Sequence, residues 1–238
     1  MNKVKALIFD VNGTMVDSER HGHLPASNRA MKQIGLNIQW DWEHFKQLIQ
    51  NVPGSVNRLK RELASRDFST EEILDYVEGF ETLKNKIYME EYLPKLKIKA
   101  GVNDMIQQAI DQNVRLAIVS TSYENQIHAL LTAQFPKFEK YFEFMLGKET
   151  GEKIDNNGYL HKKCLNLLQL NAHEVIMIED SAEGTQAAVD AHIATAVFYN
   201  DYTYGEAFHF ARLVAPDMSY FSLNDLEKIC LTSNENDL

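Results

Sequence analysis

The sequence predicts a doubly wound α/β fold, in which a parallel sheet is covered by helices and an all-helical cap is inserted after the first strand. Short apolar runs recur along the chain, and from residue 103 onward they alternate with helical patterns. This alternation is typical of a parallel sheet packed on both faces. Residues 17–98 instead show helical periodicity without a convincing strand. We therefore predict a core domain formed by residues 1–16 and 99–238 and a cap domain formed by residues 17–98.

The predicted strands are short and apolar. Five runs fit this description: Val4–Phe9, Arg115–Val119, Phe142–Leu146, Val175–Ile178 and Ala194–Phe198. Arg212–Val214 is the candidate for a sixth strand at the edge of the sheet. The clearest helical patterns between the strands are Asp104–Asp111, Glu124–Ala133 and Leu160–Leu168. Because open sheets of this kind bind ligands beyond the carboxyl ends of their strands, we expect the functional site there.

The cap segment carries its own helix signals. Ser69–Glu72 has the pattern of a capping box that opens a helix. Apolar residues then repeat at helical spacing, at Ile73, Tyr76, Val77, Phe80, Leu83 and Ile87. Pro94 falls just past the expected end of this helix. The two crossings between the domains, near Val16–Glu19 and Leu93–Ala100, are predicted hinges that would let the cap close over the sheet edge.

The composition argues against several classes of function. The formal net charge of −10 disfavours a nucleic-acid partner, which would favour a basic patch. The apolar runs fall far short of the roughly 20 residues of a membrane span, and the N-terminus lacks the pattern of a signal peptide. Cys164 and Cys230 have no paired spacing, so a disulfide framework or a thiolate zinc site is not expected. We expect a cytoplasmic monomer that binds neither nucleic acid nor a membrane.

Chemically active side chains follow the predicted strands. The first strand ends in Asp10 and the second in Ser120-Thr121-Ser122. Lys153 follows the third strand, and Glu179-Asp180 ends the fourth. The carboxyl ends of parallel strands meet at one edge of the sheet, so a carboxylate, a hydroxyl, a lysine and an acidic pair are expected to converge there. This set suits phosphoryl transfer to a carboxylate.

Each residue type has a role in that chemistry. Asp10 would attack phosphorus, and Mg²⁺ would be held by Asp10, the Asn12 carbonyl and the acidic pair Glu179-Asp180. Ser120 and Lys153 would bind the oxygens of the phosphoryl group that is transferred. The backbone N–H groups of the loop after Asp10, which contains Gly13 and Thr14, would assist them.

Simpler interpretations exist for the same residues. Asp10 alone suits a turn, and Asp180 or Ser181 suits the cap of the following helix. Capping gives no reason for two adjacent acids, however. Ser120, like Ser122, is a good N-cap for the next predicted helix, and Lys153 lies in a polar stretch where a solvated lysine would be ordinary.

These motifs, in this order, resemble the haloacid dehalogenase-like (HAD) hydrolase superfamily. The most specific matches are Asp10–Thr14 and Ile178–Ala188, and the helical insert resembles the superfamily's C1 cap. Asp17–Glu19 with Gly22-His23, and Leu116–Ser122, are most similar to the CbbY-like sugar-bisphosphate phosphatases, neighbours of β-phosphoglucomutase. The resemblance implies Mg²⁺, an aspartyl-phosphate on Asp10 and a small phosphorylated substrate, with Thr121 among the substrate-binding residues.

For two residues of the cap segment, the resemblance is the only reason to predict a role in the site. His23 matches the entrance to the family's cap and would act on the substrate side or at the hinge; an ordinary buried histidine is the alternative. The loop Asn51–Arg58 resembles the family's specificity loop, in which Arg58 would hold a distal phosphate. The relatives' lysine in that loop corresponds to Val56, and a solvated Arg58 is equally compatible with the sequence.

Asn12 departs from the family pattern, which has an aspartate that donates and accepts protons at this position. An amide does not titrate, and losing general acid–base help typically costs about 10²- to 10⁴-fold in rate. Three explanations remain open: a deliberate change that traps ligand, a natural slow or specialised catalyst, or a phosphometabolite-binding protein. We predict an Mg²⁺-dependent phosphatase with impaired turnover; the alternatives are a regulatory or binding protein and a β-phosphoglucomutase-like mutase.

Overall fold

The computed structural model of the protein describes residues 3–231. It divides into two compact units, one containing the chain up to Val16 and from Lys97 onward, the other containing Asp17–Leu96. Within the described residues, the first unit contains a six-stranded parallel sheet in the order β3-β2-β1-β4-β5-β6. Its strands are β1 Ala6–Phe9, β2 Arg115–Val119, β3 Phe142–Leu146, β4 Val175–Glu179, β5 Ala194–Phe198 and β6 Leu213–Ala215.

The predicted α/β fold class is confirmed. Each predicted apolar run forms a strand, with shifts of one or two residues at some ends, as is usual for strand boundaries. β1 begins at Ala6 and β6 lies one residue later than expected. Every residue of β1 is buried, because the strand is central and both faces of the sheet are covered.

The order of the strands creates a crevice beside β1. Phe9 pairs with Ile118 of β2 on one side and with Ile178 of β4 on the other. The Asp10 N–H continues this ladder by donating to the Ile178 carbonyl at 2.9 Å. The connections run in opposite directions on the two sides of β1, and ligands of such sheets bind at this switch point. A ligand site is therefore expected at the residues just after β1 and β4.

The second unit is helical. Its helices are α1 Leu24–Gln33, α2 Trp42–Asn51, α3 Ser55–Ala64, α4 Thr70–Val77 and α5 Phe80–Ile87. The capping box at its fourth helix is confirmed: the Glu72 N–H donates to Ser69 Oγ at 3.3 Å, and the Ser69 N–H donates to Glu72 Oε2 at 2.8 Å.

The single helix predicted after Ser69 is instead two helices. The break is at Gly79, whose φ of +72° lies in the left-handed region that glycine adopts readily. Pro94 also lies elsewhere than expected. α5 ends at Ile87, a π-helical turn covers Tyr88–Tyr92, and Pro94 is inside the 3₁₀ turn Leu93–Lys95. Proline is tolerated there because its missing N–H has no intrahelical partner in a first turn.

The remaining helices belong to the first unit. They are α6 Val102–Asp111, α7 Glu124–Gln134, α8 Tyr159–Leu168, α9 Ala182–Asp190 and α10 Leu223–Leu231. Residues of α8 and α9, including Cys164 and Ala188, form one buried cluster with Ala6 and Ile8 of β1. Among the described helices, none combines the length and apolarity needed to cross a membrane.

Candidate active site

Three carboxylates meet where β1 and β4 end. Asp10 directly follows β1, Glu179 is the last residue of β4, and Asp180 follows it. One carboxylate oxygen from each lies within 4.8 Å of the others, and all three side chains are buried. The pairing of the two strands accounts for this convergence, since Phe9 and Ile178 are partners in the sheet.

Lys153 joins two of these carboxylates. Its side chain is only 3% exposed, and Nζ donates to Asp10 Oδ1 at 2.7 Å and to Glu179 Oε1. The solvated lysine considered from the sequence is therefore wrong. Burial lowers the pKa of Lys153, but the charges of Asp10 and Glu179 outweigh this effect and hold the pKa above its usual value. Lys153 thus remains a cation at the centre of the cluster.

Glu179 also faces the N-terminus of α9. Its Oε2 accepts hydrogen bonds from the Asp180 N–H at 2.9 Å and from the Ser181 hydroxyl at 3.2 Å. Ser181 Oγ in turn accepts from the Gly184 N–H, so Ser181 is the residue that caps this helix. Capping therefore accounts for Ser181 and leaves Asp180 for another role.

Asp180 is held by donors from two other loops. The Thr14 hydroxyl donates to Oδ1 at 3.3 Å, while Asn200 Nδ2 and the Tyr202 hydroxyl donate to Oδ2 at 2.7 Å and 3.3 Å. Burial, with the charges of Asp10 and Glu179, raises the pKa of Asp180 well above its usual value. The charge of Lys99 opposes this rise without cancelling it.

The cluster fits a divalent cation. Burial raises the pKa of Asp10 to about 6, although the charge of Lys153 opposes the rise. The Lys153 ammonium contacts two of the three buried carboxylates, Asp10 and Glu179, and buried charge is costly unless it is paired or coordinates a metal. Mg²⁺ prefers hard oxygen ligands. Asp10, Asp180 and the backbone carbonyl of Asn12 are the groups that would hold it, with Glu179 beside them.

Asn12 contacts the loop that follows β2. Its Nδ2 donates to the Ser122 hydroxyl at 2.8 Å, and the Ser122 N–H donates to Ser120 Oγ at 3.2 Å. Ser120 and Ser122 are buried, whereas Thr121 between them is exposed. Neither serine caps α7: its N-cap is Tyr123, and the N–H of its first residue, Glu124, donates to Glu149 Oε2 at 2.8 Å. The serines therefore lie at the site for another reason.

Gly13 and Thr14 form a tight turn over Asp180. Gly13 has a φ of +85°, and a Cβ added to it would lie 2.2 Å from Asp180 Oδ2. The Gly13 N–H donates within the loop, to the Val16 carbonyl at 2.8 Å. Gly13 is thus required for its conformation and its lack of a side chain, and its N–H is already engaged.

Three residues at this edge were missed by the sequence reasoning. Lys99 Nζ donates to the Gly13 carbonyl and to Asn200 Oδ1, and Asn200 and Tyr202 contact Asp180. Asn200 lies two residues beyond the end of β5, so extending the survey of strand ends to the fifth strand would have identified it. Lys99 lies in a segment predicted only as a hinge, and no local signal marks it.

His23 and Arg58 belong to the helical unit. His23 is buried and its ring stacks on Tyr88 with centroids 4.2 Å apart; burial, with the charges of Lys84 and Arg58, lowers its pKa well below the usual value. Arg58 is only partly exposed. Its Nε donates to the Val52 carbonyl at 2.9 Å and Nη1 lies 3.9 Å from Glu19 Oε2. Substrate contacts of these two residues stay predictions.

Known proteins resemble the chain over most of its length. A family model described as haloacid dehalogenase-like hydrolase matches residues 7–198. A CBBY-like protein from Arabidopsis thaliana is 26% identical over 88% of this chain and 67% of its own length. Protein CbbY of Cupriavidus necator is 28% identical over 90% of this chain and 86% of its own.

A solved structure shares the fold. It is a mutant of CbbY from Rhodobacter sphaeroides in complex with xylulose-1,5-bisphosphate. The two proteins superimpose with a TM-score of 0.77 at 24% identity, covering 94% of this chain and 99% of the other. At this identity the likeness establishes the architecture alone.

Proposed function

Because the chain belongs to the haloacid dehalogenase-like hydrolase family, we propose that it is an Mg²⁺-dependent phosphatase of a small phosphorylated metabolite. The observation that carries the proposal is the buried arrangement in which Lys153 contacts Asp10 and Glu179, with the Asp180 carboxylate beside them. A carboxylate held in this way is a fixed nucleophile next to a site for a cation. That combination suits the hydrolysis of phosphoric monoesters through a covalent intermediate.

Asp10 is the proposed nucleophile. Lys153 holds its Oδ1, and the other carboxylate oxygen attacks phosphorus as the bond between phosphorus and the ester oxygen breaks. This step forms an aspartyl-phosphate, and the departing oxygen takes a proton from solvent water and leaves as the alcohol, because Asn12 has no proton to give. Water then attacks the aspartyl-phosphate, which releases inorganic phosphate and restores the Asp10 carboxylate. A bound Mg²⁺ would offset the negative charge of the phosphate and of the carboxylates during both steps.

Ser120 and Lys153 are the proposed ligands of the phosphoryl oxygens. Ser120 Oγ accepts a hydrogen bond from the Ser122 N–H, which leaves the hydroxyl proton to be donated to the substrate. The Lys153 ammonium has three protons and contacts two carboxylates, so its third proton can be donated to a phosphoryl oxygen.

In this scheme, Asn12 lowers the rate of turnover. The amide donates to Ser122 and has no proton to exchange with the leaving oxygen or with water. We expect the missing acid–base group to cost about 10²- to 10⁴-fold in rate, or roughly 3–5 kcal/mol in the barrier. Asn12 is also the observation that favours a second candidate, a protein that binds a phosphometabolite for regulation and does not turn it over.

A sugar phosphate or bisphosphate is the proposed substrate. The support comes from the similarity to CbbY proteins, one of which binds xylulose-1,5-bisphosphate. Arg58 and His23, both in the helical unit, are proposed to select the substrate, with Arg58 binding a second phosphate. A mutase reaction would require the product to be phosphorylated again by the enzyme, and measuring sugar-phosphate isomers alongside inorganic phosphate distinguishes this outcome.

The activity of an Asn12→Asp variant tests the proposal. With Mg²⁺, we expect its rate on sugar bisphosphates to rise by about 10²- to 10⁴-fold over the parent. The gain in the phosphorylation step should be smaller for p-nitrophenyl phosphate, because p-nitrophenolate leaves without needing a proton. Asp10→Asn in the same background is the matched control and should abolish activity. If Asn12→Asp gains nothing on any substrate while phosphate still binds, the binding-protein function replaces the phosphatase.

A further inference from the structure

The loop after β5 contacts both loops that carry the proposed metal ligands. Asn200 Nδ2 donates to Asp180 Oδ2 at 2.7 Å and to the Gly13 carbonyl at 3.0 Å. Asp180 follows β4 and Gly13 lies three residues after Asp10. One amide group therefore joins the loop that follows β1 to the loop that follows β4.

Lys99 determines which way the Asn200 amide points. The Lys99 ammonium donates to Asn200 Oδ1 and to the Gly13 carbonyl. An ammonium only donates and the Gly13 carbonyl only accepts, so the amide oxygen must face Lys99 and the NH₂ group must face Gly13 and, beside it, Asp180. The reversed amide would set acceptor against acceptor and donor against donor.

The Asn200 backbone is also fixed. Its N–H donates to Thr203 Oγ1 at 2.9 Å, and its carbonyl accepts from the Tyr204 N–H at 2.8 Å. The same turn delivers the buried Tyr202, whose hydroxyl donates to Asp180 Oδ2 at 3.3 Å. Asp180 Oδ2 thus receives two donors from one short, internally bonded turn.

We propose that Asn200 is a positioning residue for Asp180 and that, with Tyr202, it sets the affinity of this site for Mg²⁺. The inference rests on the Mg²⁺ part of the proposed function. Asn200 orients the carboxylate and ties it to the loop of the nucleophile, so both would already be in place when a cation arrives. Groups that hydrogen-bond to metal ligands in this way typically change metal affinity or activity by about 10- to 100-fold when they are removed.

A purely structural role makes a different prediction. If Asn200 only holds two loops together, its removal lowers the thermal stability of the protein and leaves the affinity for Mg²⁺ unchanged. If it positions Asp180, the affinity falls in protein that is still folded. Binding of Mg²⁺ to the protein without substrate separates the two roles, because this measurement does not depend on turnover.

Calorimetric titration of Mg²⁺ into the full chain is the test. We expect Asn200→Ala to raise the Kd for Mg²⁺ by about 10- to 100-fold, and Tyr202→Phe to raise it by a smaller factor. Asn171→Ala is the matched control, since Asn171 belongs to a capping box just before β4, at the opposite end of that strand from Asp180. Its Kd should equal that of the parent.

The outcomes distinguish the inference from the proposed function. Folded Asn200→Ala and Tyr202→Phe variants with the parent's Kd overturn the positioning role and leave the phosphatase intact. A parent chain that binds no Mg²⁺ overturns both. If Asn200→Ala does not fold, Tyr202→Phe decides the question, because it removes only a hydroxyl and retains the ring.

Discussion

Lys153 and His161 are two buried basic side chains that differ in whether acidic groups contact them. Lys153 contacts two carboxylates and stays charged. Neither ring nitrogen of His161, on α8, has a hydrogen-bond partner among the described residues. Burial, with the charge of Lys153, lowers the pKa of His161 to about 3. His161 is therefore neutral in the folded protein at every pH at which the enzyme is expected to work.

This neutral histidine predicts acid sensitivity. In the unfolded chain His161 takes a proton below about pH 6.5, whereas in the folded protein it does so only near pH 3. Protons therefore favour the unfolded state between these values, and stability falls as the pH falls. We expect His161 to account for a loss of about 2 kcal/mol in the free energy of unfolding by about pH 5. Urea denaturation at neutral pH and at this lower pH measures the loss.

His161→Leu should remove this part of the acid sensitivity. The matched control is His128→Leu on α7, where the side chain is exposed, and it should lose stability on acidification as the parent does. If the His161→Leu variant loses as much free energy of unfolding on acidification as the parent, this loss is not due to His161.

At the residue scale, the sequence predicted the residues that stand at strand ends. Asp10, Ser120 and Asp180 were identifiable because a polar side chain follows an apolar run. The contact of Lys153 with Asp10 spans 143 positions, and that of Lys99 with Gly13 spans 86. Such pairings depend on how loops fold back across the sheet. A family motif marks Lys153, and Asn200 lies just beyond the end of the fifth strand, where a polar side chain is again a usable signal. Lys99 follows no strand and matches no motif, so only the folded structure identifies it.

At the element scale, the loop after β1 depends on one glycine. A Cβ at Gly13 would lie 2.2 Å from Asp180 Oδ2 and 2.3 Å from Tyr202 Oη, in a left-handed conformation. We expect Gly13→Ala to weaken Mg²⁺ binding by at least about tenfold, because the added methyl displaces Asp180. The titration used for Asn200 measures the effect.

The Gly35→Ala variant distinguishes the displacement of Asp180 from the strain of placing a side chain on a left-handed backbone. Gly35 has a nearly identical φ of +87°, but a Cβ there meets nothing within 4 Å. It should lose roughly 1–2 kcal/mol of stability and keep its Mg²⁺ affinity. Equal Mg²⁺ affinities in the two variants would refute the displacement argument.

Strands were easier to predict than the ends of helices. The apolar runs coincide with the strands because buried parallel strands are apolar on both faces. The break at Gly79 was missed because the apolar spacing continues through it, from Val77 to Phe80. Periodicity reports which face is apolar, whereas a single glycine at positive φ changes the direction of the chain without altering that spacing.

In the molecule as a whole, the chain leaves the α/β unit after Val16 and returns to it at Lys97, at neighbouring points of that unit. Val16 and Ile98 pair as an antiparallel bridge within the first unit. We propose that the units are separate domains and that the α/β unit folds alone. Replacing residues 17–96 by a short glycine-serine linker should retain the circular-dichroism spectrum of an α/β fold and the binding of Mg²⁺.

Loss of the cap should change selectivity. The proposed substrate-selecting residues His23 and Arg58 are absent from the shortened chain, so any preference for bisphosphates over p-nitrophenyl phosphate should disappear. A shortened chain that is unfolded, or that retains the preference, would refute the domain assignment or the role of the cap, respectively.

In the proposed reaction Asp10 forms an aspartyl-phosphate, and hydrolysis of this intermediate is slow because Asn12 does not titrate. Rapid mixing with p-nitrophenyl phosphate and Mg²⁺ tests it most directly, because p-nitrophenolate leaves without a proton while hydrolysis of the intermediate needs activated water. We predict a burst of one p-nitrophenolate per active site, followed by slow turnover, with phosphate bound covalently to Asp10. The burst should shrink in Asn12→Asp, where hydrolysis keeps pace. Release without a burst, and with no phosphate on Asp10, would contradict the claim.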